Sequence, residues 1–244
     1  MFAIGDVPLE LGVGARELEL PEQGKTSEVA IAGDVVIKRA IDPRYLDWLR
    51  RERVVLEAIA NTGLQAPRVV GYVDRGDDVW LAIGKLRGVQ FPVALQRGDR
   101  RALAEALGAV IRRVHETPVP EALRDVRSWD ERMLERARGN LAWCDGSKLL
   151  LDEVYYVRPA PVAATLIHGD LGLDNVLVDG EQLSLIDWPL GDQGDPRFDI
   201  AIALQLRESC SFASDEIAAF YRGYGSAPID KATLRWFEEL WDFF

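Results

Sequence analysis

The sequence predicts an α+β protein in two unlike parts: a small antiparallel-sheet lobe over residues 1–84 and a mainly helical lobe over 85–244. Three observations carry this. Short apolar runs joined by polar turns fill the first part, the signature of strand pairs. Beyond Gly88 the apolar residues recur at helical spacing instead. The chain has 244 residues, which at roughly 150 per domain allows between one and two domains and a substantial core.

Val29–Ile31 and Val35–Lys38 are apolar runs joined by Ala32-Gly33-Asp34, a hairpin signal. Glu17–Leu20 reads as a further strand ahead of them. Val69–Val73 and Val79–Ile83 form a second pair across the polar turn Asp74–Asp78. Between the pairs, Leu46–Ala60 places Leu49, Leu56 and Ile59 on one helical face, and Asn61-Thr62-Gly63 with Pro67 ends it. In the second part, Asp99 caps a helix striped by Leu103, Leu107, Val110, Ile111 and Val114. Ser128 with Glu131 spells a capping box, and Gly139 marks that helix's end. Ser147–Val157 reads as helix and Ala163–Ile167 as strand. Val176–Val178 and Leu183–Ile186 form a hairpin around Asp179–Gln182. Three helices close the chain: Pro196–Ser209, Ser214–Arg222 and Asp230 to the end.

A hydrophobic content of 48% with 28% charged residues excludes a disordered chain. The net charge of −11 is unevenly placed. Residues 1–129 carry 19 acids and 19 bases, whereas 130–244 carry 21 acids and 10 bases. That sign disfavours nucleic acid as a partner and favours a small cationic one, although solubility alone also accounts for it. Cys144 and Cys210 cannot build a disulfide scaffold, which fits a reducing cytoplasm. The longest stretch free of Asp, Glu, Lys and Arg is Pro159–Gly169, too short to span a membrane. The first 15 residues have no basic region, so no secretory signal is expected.

Gly24-Lys25-Thr26 hints at a Walker A loop, but the required earlier glycine is Glu19, and that reading fails. A turn whose N–H groups and Thr26 and Ser27 hydroxyls cover phosphates remains, as does an ordinary hairpin turn. Lys38 ends an apolar strand. Glu52 lies three residues after Leu49 and four before Leu56, on the core-facing stripe, where a carboxylate needs a cation; Lys38 is the natural partner. The sharpest signal is the run from Leu166 to Asn175. An apolar strand delivers His168-Gly169-Asp170, and Asn175 follows Asp170 by five positions, the spacing of a kinase catalytic loop. The following hairpin brings its ends, Asn175 and Asp187, together. An amide oxygen and a carboxylate side by side suit Mg²⁺ on nucleotide phosphates. Asp170 is then the acceptor for a substrate hydroxyl proton, and His168 is an orienting residue.

Residues 168–201, HGDLGLDNVLVDGEQLSLIDWPLGDQGDPRFDIA, resemble the signature of the aminoglycoside phosphotransferase/choline kinase-like family. Glu52, Leu56, Gly63 and Pro67, the hinge-like Leu81–Gly88 and the pair Val114-His115 extend the likeness over about residues 15–244. The resemblance implies a bilobal protein-kinase-like fold with a nucleotide-binding lobe, 1–84, and a catalytic and substrate-binding lobe, 85–244, hinged at about 84–88. It implies a kinase using ATP or GTP with Mg²⁺, Asp170 as catalytic base, and Asn175 and Asp187 as metal ligands. Lys38, paired with Glu52, would hold the α/β-phosphates, Gly24, Lys25, Thr26 and Ser27 would cover them, and backbone groups at Gly84–Leu86 would bind the base. Asp195 and Asp199 match fixed family positions, Asp199 bonding the catalytic loop.

Within the family the likeness is greatest to aminoglycoside 3′-phosphotransferases, through HGDLG (168–172) and the ending Phe220-Tyr221, Tyr224-Gly225, Asp230 and Asp242-Phe243-Phe244. That implies antibiotic resistance by phosphorylation of a cationic substrate, in a monomer or weak dimer. Asp145, Asp152, Glu153, Glu239, Asp242 and the carboxylate of Phe244 would receive its ammonium groups, with Glu238 one turn back. The sequence departs from the subfamily at Pro189, where glycine is common, and at Gln205, where arginine is usual, with Arg207 two residues on. Another small acceptor, such as a macrolide, choline, homoserine or a sugar, would use the same machinery. A non-catalytic relative would have lost Asp170, Asn175 or Asp187, and all three are present.

Overall fold

The computed structural model describes residues 2–14, 17–21, 26–205 and 211–244. Strands β1 (Ser27–Ala32) and β2 (Val35–Ala40) form the expected hairpin, turning at Gly33 and Asp34. With β3 (Val69–Asp74) and β4 (Val79–Gly84) they make an antiparallel sheet in the order β1-β2-β4-β3. Among the described residues the expected strand at Glu17–Leu20 meets the β1 edge at one bridge, between Glu19 and Ile31. Helix α1 (Leu46–Ile59) lies against this sheet and buries Leu49, Glu52, Val55, Leu56 and Ile59.

Past the sheet, β5 (Val89–Gln90) and α2 (Phe91–Leu95) lead into α3 (Arg100–Glu116), whose first amides, Arg101 and Ala102, donate to the Asp99 carboxylate at 3.0 and 3.2 Å. Then come α4 (Trp129–Asn140), α5 (Lys148–Tyr156), β6 (Thr165–Ile167), β7 (Val176–Asp179), β8 (Gln182–Leu185), β9 (Asp192–Gly194), α6 (Pro196–Leu204), α7 (Ser214–Tyr224) and α8 (Lys231–Trp241). β5 adds to the β7–β8 hairpin, and β6 pairs with β9. The Ser128 capping box does not form: Ser128 occupies the N-cap, but its hydroxyl serves the Asp130 carboxylate instead of a backbone amide. Gly139 lies inside the last turn of α4. Ser147 does cap α5, accepting from the Leu150 amide at 3.1 Å. Helix α6 stops at Leu204 because Gln205 turns extended; residues 206–210, with Arg207 and Cys210, lie outside the described residues.

The principal apolar core is continuous from α1 and β4 through α3 and β6–β8 to α7, so the sheet and the helices are joined by one interior. A second, aromatic core gathers Trp129, Phe198, Phe237 and Phe243 under α4, α6 and α8. Helices α3 and α7 cross at backbone distance. A Cβ on Gly108 would lie 2.1 Å from the Phe220 carbonyl oxygen, and one on Gly223 1.9 Å from that of Glu105. Gly223→Ala is expected to force the helices apart and cost about 1–3 kcal/mol of stability in denaturant titration. Among the described residues no helix is long and apolar enough to cross a membrane.

Candidate active site

Strand β6 ends at Ile167, and the chain there turns sharply through His168-Gly169-Asp170. Gly169 has φ +82°, and a Cβ on it would lie 2.3 Å from the Leu190 carbonyl oxygen, so only glycine fits. The turn is tied from beneath by Asp199 of α6, which is wholly buried. Its carboxylate accepts from the His168 amide at 2.7 Å and the Gly169 amide at 2.8 Å. Asp199 also meets His115 Nε2 at 3.1 Å, and His115 Nδ1 meets the Tyr224 hydroxyl at 2.9 Å. Burial, then the charge of Asp199, pushes the Tyr224 phenol up to about 12, so it stays protonated.

His168 is buried in an orienting position. Its Nε2 lies 3.0 Å from the Ile186 carbonyl and its Nδ1 3.2 Å from the Asp170 amide, which fits a neutral ring with the proton on Nε2. Burial holds its pKa below the usual 6.5, against the pull of Asp199. A neutral buried histidine stabilises the fold only while the unfolded histidine is also neutral. Stability is therefore expected to fall as pH drops below about 6.5, by at most ~1.4 kcal/mol per pH unit from this group, in urea titrations at pH 7.5, 6.5 and 5.5.

Asn175 and Asp187 flank the β7–β8 hairpin, and the Ile186 amide donates to the Asn175 carbonyl at 2.9 Å. The Asn175 side-chain NH₂ donates to the Asp170 carbonyl at 2.9 Å, so one side chain links the catalytic turn to the hairpin. Asp187 takes a left-handed backbone conformation, φ +64°, which aspartate tolerates better than most residues. Lys38 on β2 reaches α1 and this hairpin at once: its ammonium donates to Glu52 Oε1 and Oε2 at 2.7 and 2.9 Å and to Asp187 Oδ1. Burial opposes the charge on Lys38, but the two carboxylates outweigh it and hold the ammonium charged. Burial likewise raises Asp187, and Lys38 more than reverses it, leaving the carboxylate ionised. Glu52, almost fully buried, is pushed up by burial and by Asp187 despite its lysine partner.

Thr26 and Ser27 stand at the start of β1, while Gly24 and Lys25 lie outside the described residues. At Gly84–Leu86 two backbone donors are already used: the Gly84 amide donates to the Arg68 carbonyl and the Lys85 amide to the Asp34 carbonyl, each at 2.8 Å. Leu86 supplies the remaining N–H of that segment.

The model of the phosphotransferase enzyme family matches residues 25–237, nearly the whole chain. The chain belongs to that family. An aminoglycoside 3′-phosphotransferase of Streptomyces fradiae is 30% identical over 223 residues, covering 82% of this chain and 77% of the relative. Among solved structures, an aminoglycoside 3′-phosphotransferase of type VIII superposes with a TM-score of 0.78 at 23% identity, covering 93% of each chain. An aminoglycoside phosphotransferase from Streptomyces rimosus, in complex with ADP and streptomycin, gives 0.74 at 20% identity, covering 96% of this chain and 95% of that one. The fold is thus the bilobal kinase-like one, and the chain is a phosphotransferase with an alcohol group as acceptor.

At the end of α8 the phosphotransferase gathers part of the expected carboxylate set. The Gly146 amide donates to the Asp242 carbonyl at 3.0 Å, which brings Asp145 beside the end of α8. Burial, then the charges of Asp145 and Glu239, raises the Asp242 carboxyl. Burial and Glu239 raise Glu238 in the same way. Glu239 is engaged by Arg235 of its own helix at 2.6 Å, and Glu153 contributes charge to that arginine. Asp152 is exposed on α5 and, among the described residues, makes no hydrogen bond or ion pair that joins it to this group. Phe243 is buried in the aromatic core, its ring against Gly146, and the Asn140 amide donates to its carbonyl at 2.8 Å. Deleting Phe243-Phe244 would therefore remove core as well as carboxylate, so Asp242 is the cleaner probe.

The sequence reading missed an arginine set on the segment after Asp187. Arg51 donates to the Gly191 carbonyl at 2.9 Å and to Asp192 at 3.3 Å; Arg132 donates to Asp192 and, at 2.9 Å, to the Gln193 carbonyl. The available signal was the basic spacing of Arg44 just before α1, Arg50 and Arg51 on α1, and Arg132 and Arg136 on α4, which net-charge arithmetic conceals.

Proposed function

We propose that the chain transfers the γ-phosphate of a nucleoside triphosphate, ATP or GTP, to a hydroxyl of an aminoglycoside. The observation that carries it is the convergence of Lys38, Glu52, Asp187, Asn175 and Asp170 on one catalytic turn, in a family member 30% identical to a 3′-phosphotransferase. Residues 1–84 would bind the nucleotide and 85–244 the acceptor. Lys38, aimed by Glu52, holds the phosphates; Leu86 and its neighbours meet the base; Thr26 and Ser27 stand where a covering turn begins. Asn175 Oδ1 and the Asp187 carboxylate are hard donors suited to Mg²⁺, which takes one or two protein carboxylates and completes its shell from phosphate and water. Bound there, the ion would neutralise charge on the phosphates. Asp170 receives the hydroxyl proton as the oxygen attacks. Ammonium groups of the acceptor would sit at Asp145, Asp242 and the Phe244 carboxylate, and phosphorylation would blunt the antibiotic.

The test is ADP release with the full chain against aminoglycosides bearing a 3′-hydroxyl, macrolides and amino alcohols. Stimulation by the first group is expected; stimulation by another group alone would overturn the substrate class. Asp242→Asn should raise the KM for an aminoglycoside roughly two- to fivefold, the worth of one partly exposed ion pair, with kcat unchanged.

A further inference from the structure

A cavity of about 440 Å³ opens beside the catalytic turn, within the range of small-molecule sites. Its floor is the segment from Pro189 to Asp192, whose Leu190 packs directly on Gly169, the residue before Asp170. Five guanidinium groups line it: Arg44, Arg51, Arg124, Arg132 and Arg136. In a chain of net charge −11, this is a local reversal of sign.

Three of the five are engaged. Arg44 pairs with Asp42 at 2.8 Å, and Arg51 and Arg132 share Asp192. Arg132 Nε is nevertheless buried without a hydrogen bond, 3.6 Å from the Asp125 carboxylate. Among the described residues the other two form no ion pair. Among the described residues Arg124 donates to the Val119 carbonyl, at 3.3 Å. Arg136 makes no ion pair among the described residues and lies 5.4 Å over the Phe244 ring. Loss of water and the nearby charges of Arg51 and Arg132 depress its pKa, against the pull of Asp192. Asp47, the remaining acid of the wall, is held by Arg50 at 2.9 Å.

We propose that this cavity is an oxyanion site whose ligand is a small molecule bearing a phosphate monoester. Two guanidinium groups without an ion-pair partner among the described residues match the −1.5 to −2 charge of such a group at neutral pH, and the planar fork of arginine suits its oxygens. The orphaned Arg132 N–H gains an acceptor in the same step. The inference goes beyond the acceptor reading, because nothing in it depends on which acceptor is phosphorylated.

The experiment is isothermal titration of the full chain with glycerol 3-phosphate, with ADP and Mg²⁺ present in excess to fill any nucleotide site. Malonate and glycerol serve as the dicarboxylate and neutral probes. Saturable binding of glycerol 3-phosphate is expected, weakened about tenfold or more in Arg136→Gln and in Arg124→Gln, with ADP affinity unchanged. Arg136→Lys, which keeps the charge and loses the fork, should fall between. Thermal unfolding of each variant verifies its fold, and the exposed Arg124 provides a variant whose folding is not at stake. Absence of saturable binding, equal binding by the variants, or binding of malonate alone would each overturn the proposal.

Discussion

Replacing Asp170 by Asn is expected to lower kcat by about three orders of magnitude while leaving ADP affinity within about twofold. Asp170 sits between His168 and the Asn175 side chain, on a turn whose backbone is held at three points: by Asp199, by His168 Nδ1 and by the Asn175 amide. Those bonds run to the backbone of the turn, and asparagine, with the same shape as aspartate, leaves them in place. What it loses is the ability to take a proton as the acceptor hydroxyl attacks. Lys38, Glu52 and Asp187 are untouched, which is why the nucleotide should bind as before. The measurement is steady-state ADP release with a saturating acceptor, alongside calorimetric ADP binding. A variant with near-normal kcat would show that positioning alone drives the transfer and that Asp170 is not the base.

The second large effect is on stability. Asp199→Ala should cost roughly 3–5 kcal/mol, the usual consequence of removing one member of a buried charged network. The Asp199 carboxylate satisfies two buried backbone amides and the ring of His115, all inaccessible to water. Alanine would orphan those donors together and leave the Gly169 turn, with its positive φ, supported from one side only. Urea titration should show an earlier midpoint at constant slope. The more telling readout is activity measured well below the midpoint: because Asp199 holds the turn that carries Asp170, kcat should fall even in molecules that are folded. Asp199→Asn should recover part of the stability, since one amide oxygen still accepts an N–H. A variant as stable as the parent would mean the turn is held by its packing against Leu190 instead.

Much of the site was legible because its chemistry is written in short spacings. Asp170, Asn175 and Asp187 are placed by one strand, one turn and one hairpin, all local in the chain, and local geometry follows from local sequence. Glu52 was legible for a different reason: a carboxylate on an apolar helical stripe announces a buried partner. Lys38 as that partner required only that the helix pack on its neighbouring strand, and its Nζ lies 2.7 Å from Glu52. The bond from Lys38 onward to Asp187 joins residues 149 apart and no periodicity contains it.

The misreadings have equally plain causes. Glu17–Leu20 has strand-like composition, but among the described residues it meets β1 at one bridge, Glu19 to Ile31. The Ser128 capping box fits a recurrent pattern, yet the nearby Asp130 competes for the same hydroxyl. The acidic residues expected as amine contacts follow from the resemblance and carry no distances; tertiary packing unites Asp145 with Asp242 and leaves Asp152 apart.

By itself the sequence determined the fold class and most of the strands and helices, and it singled out Asp170, Asn175 and Asp187 as candidates, because each rests on periodicity or on a spacing of a few residues. Only the tertiary structure decided which charges meet. It placed arginines from α1, from the stretch before α4 and from α4 itself around one cavity, within a chain whose total charge is negative. It also buried Phe243 and tied Asp199 to His115 and Tyr224. Electrostatic energy depends on distance in space and on burial, and neither is a property of position along the chain.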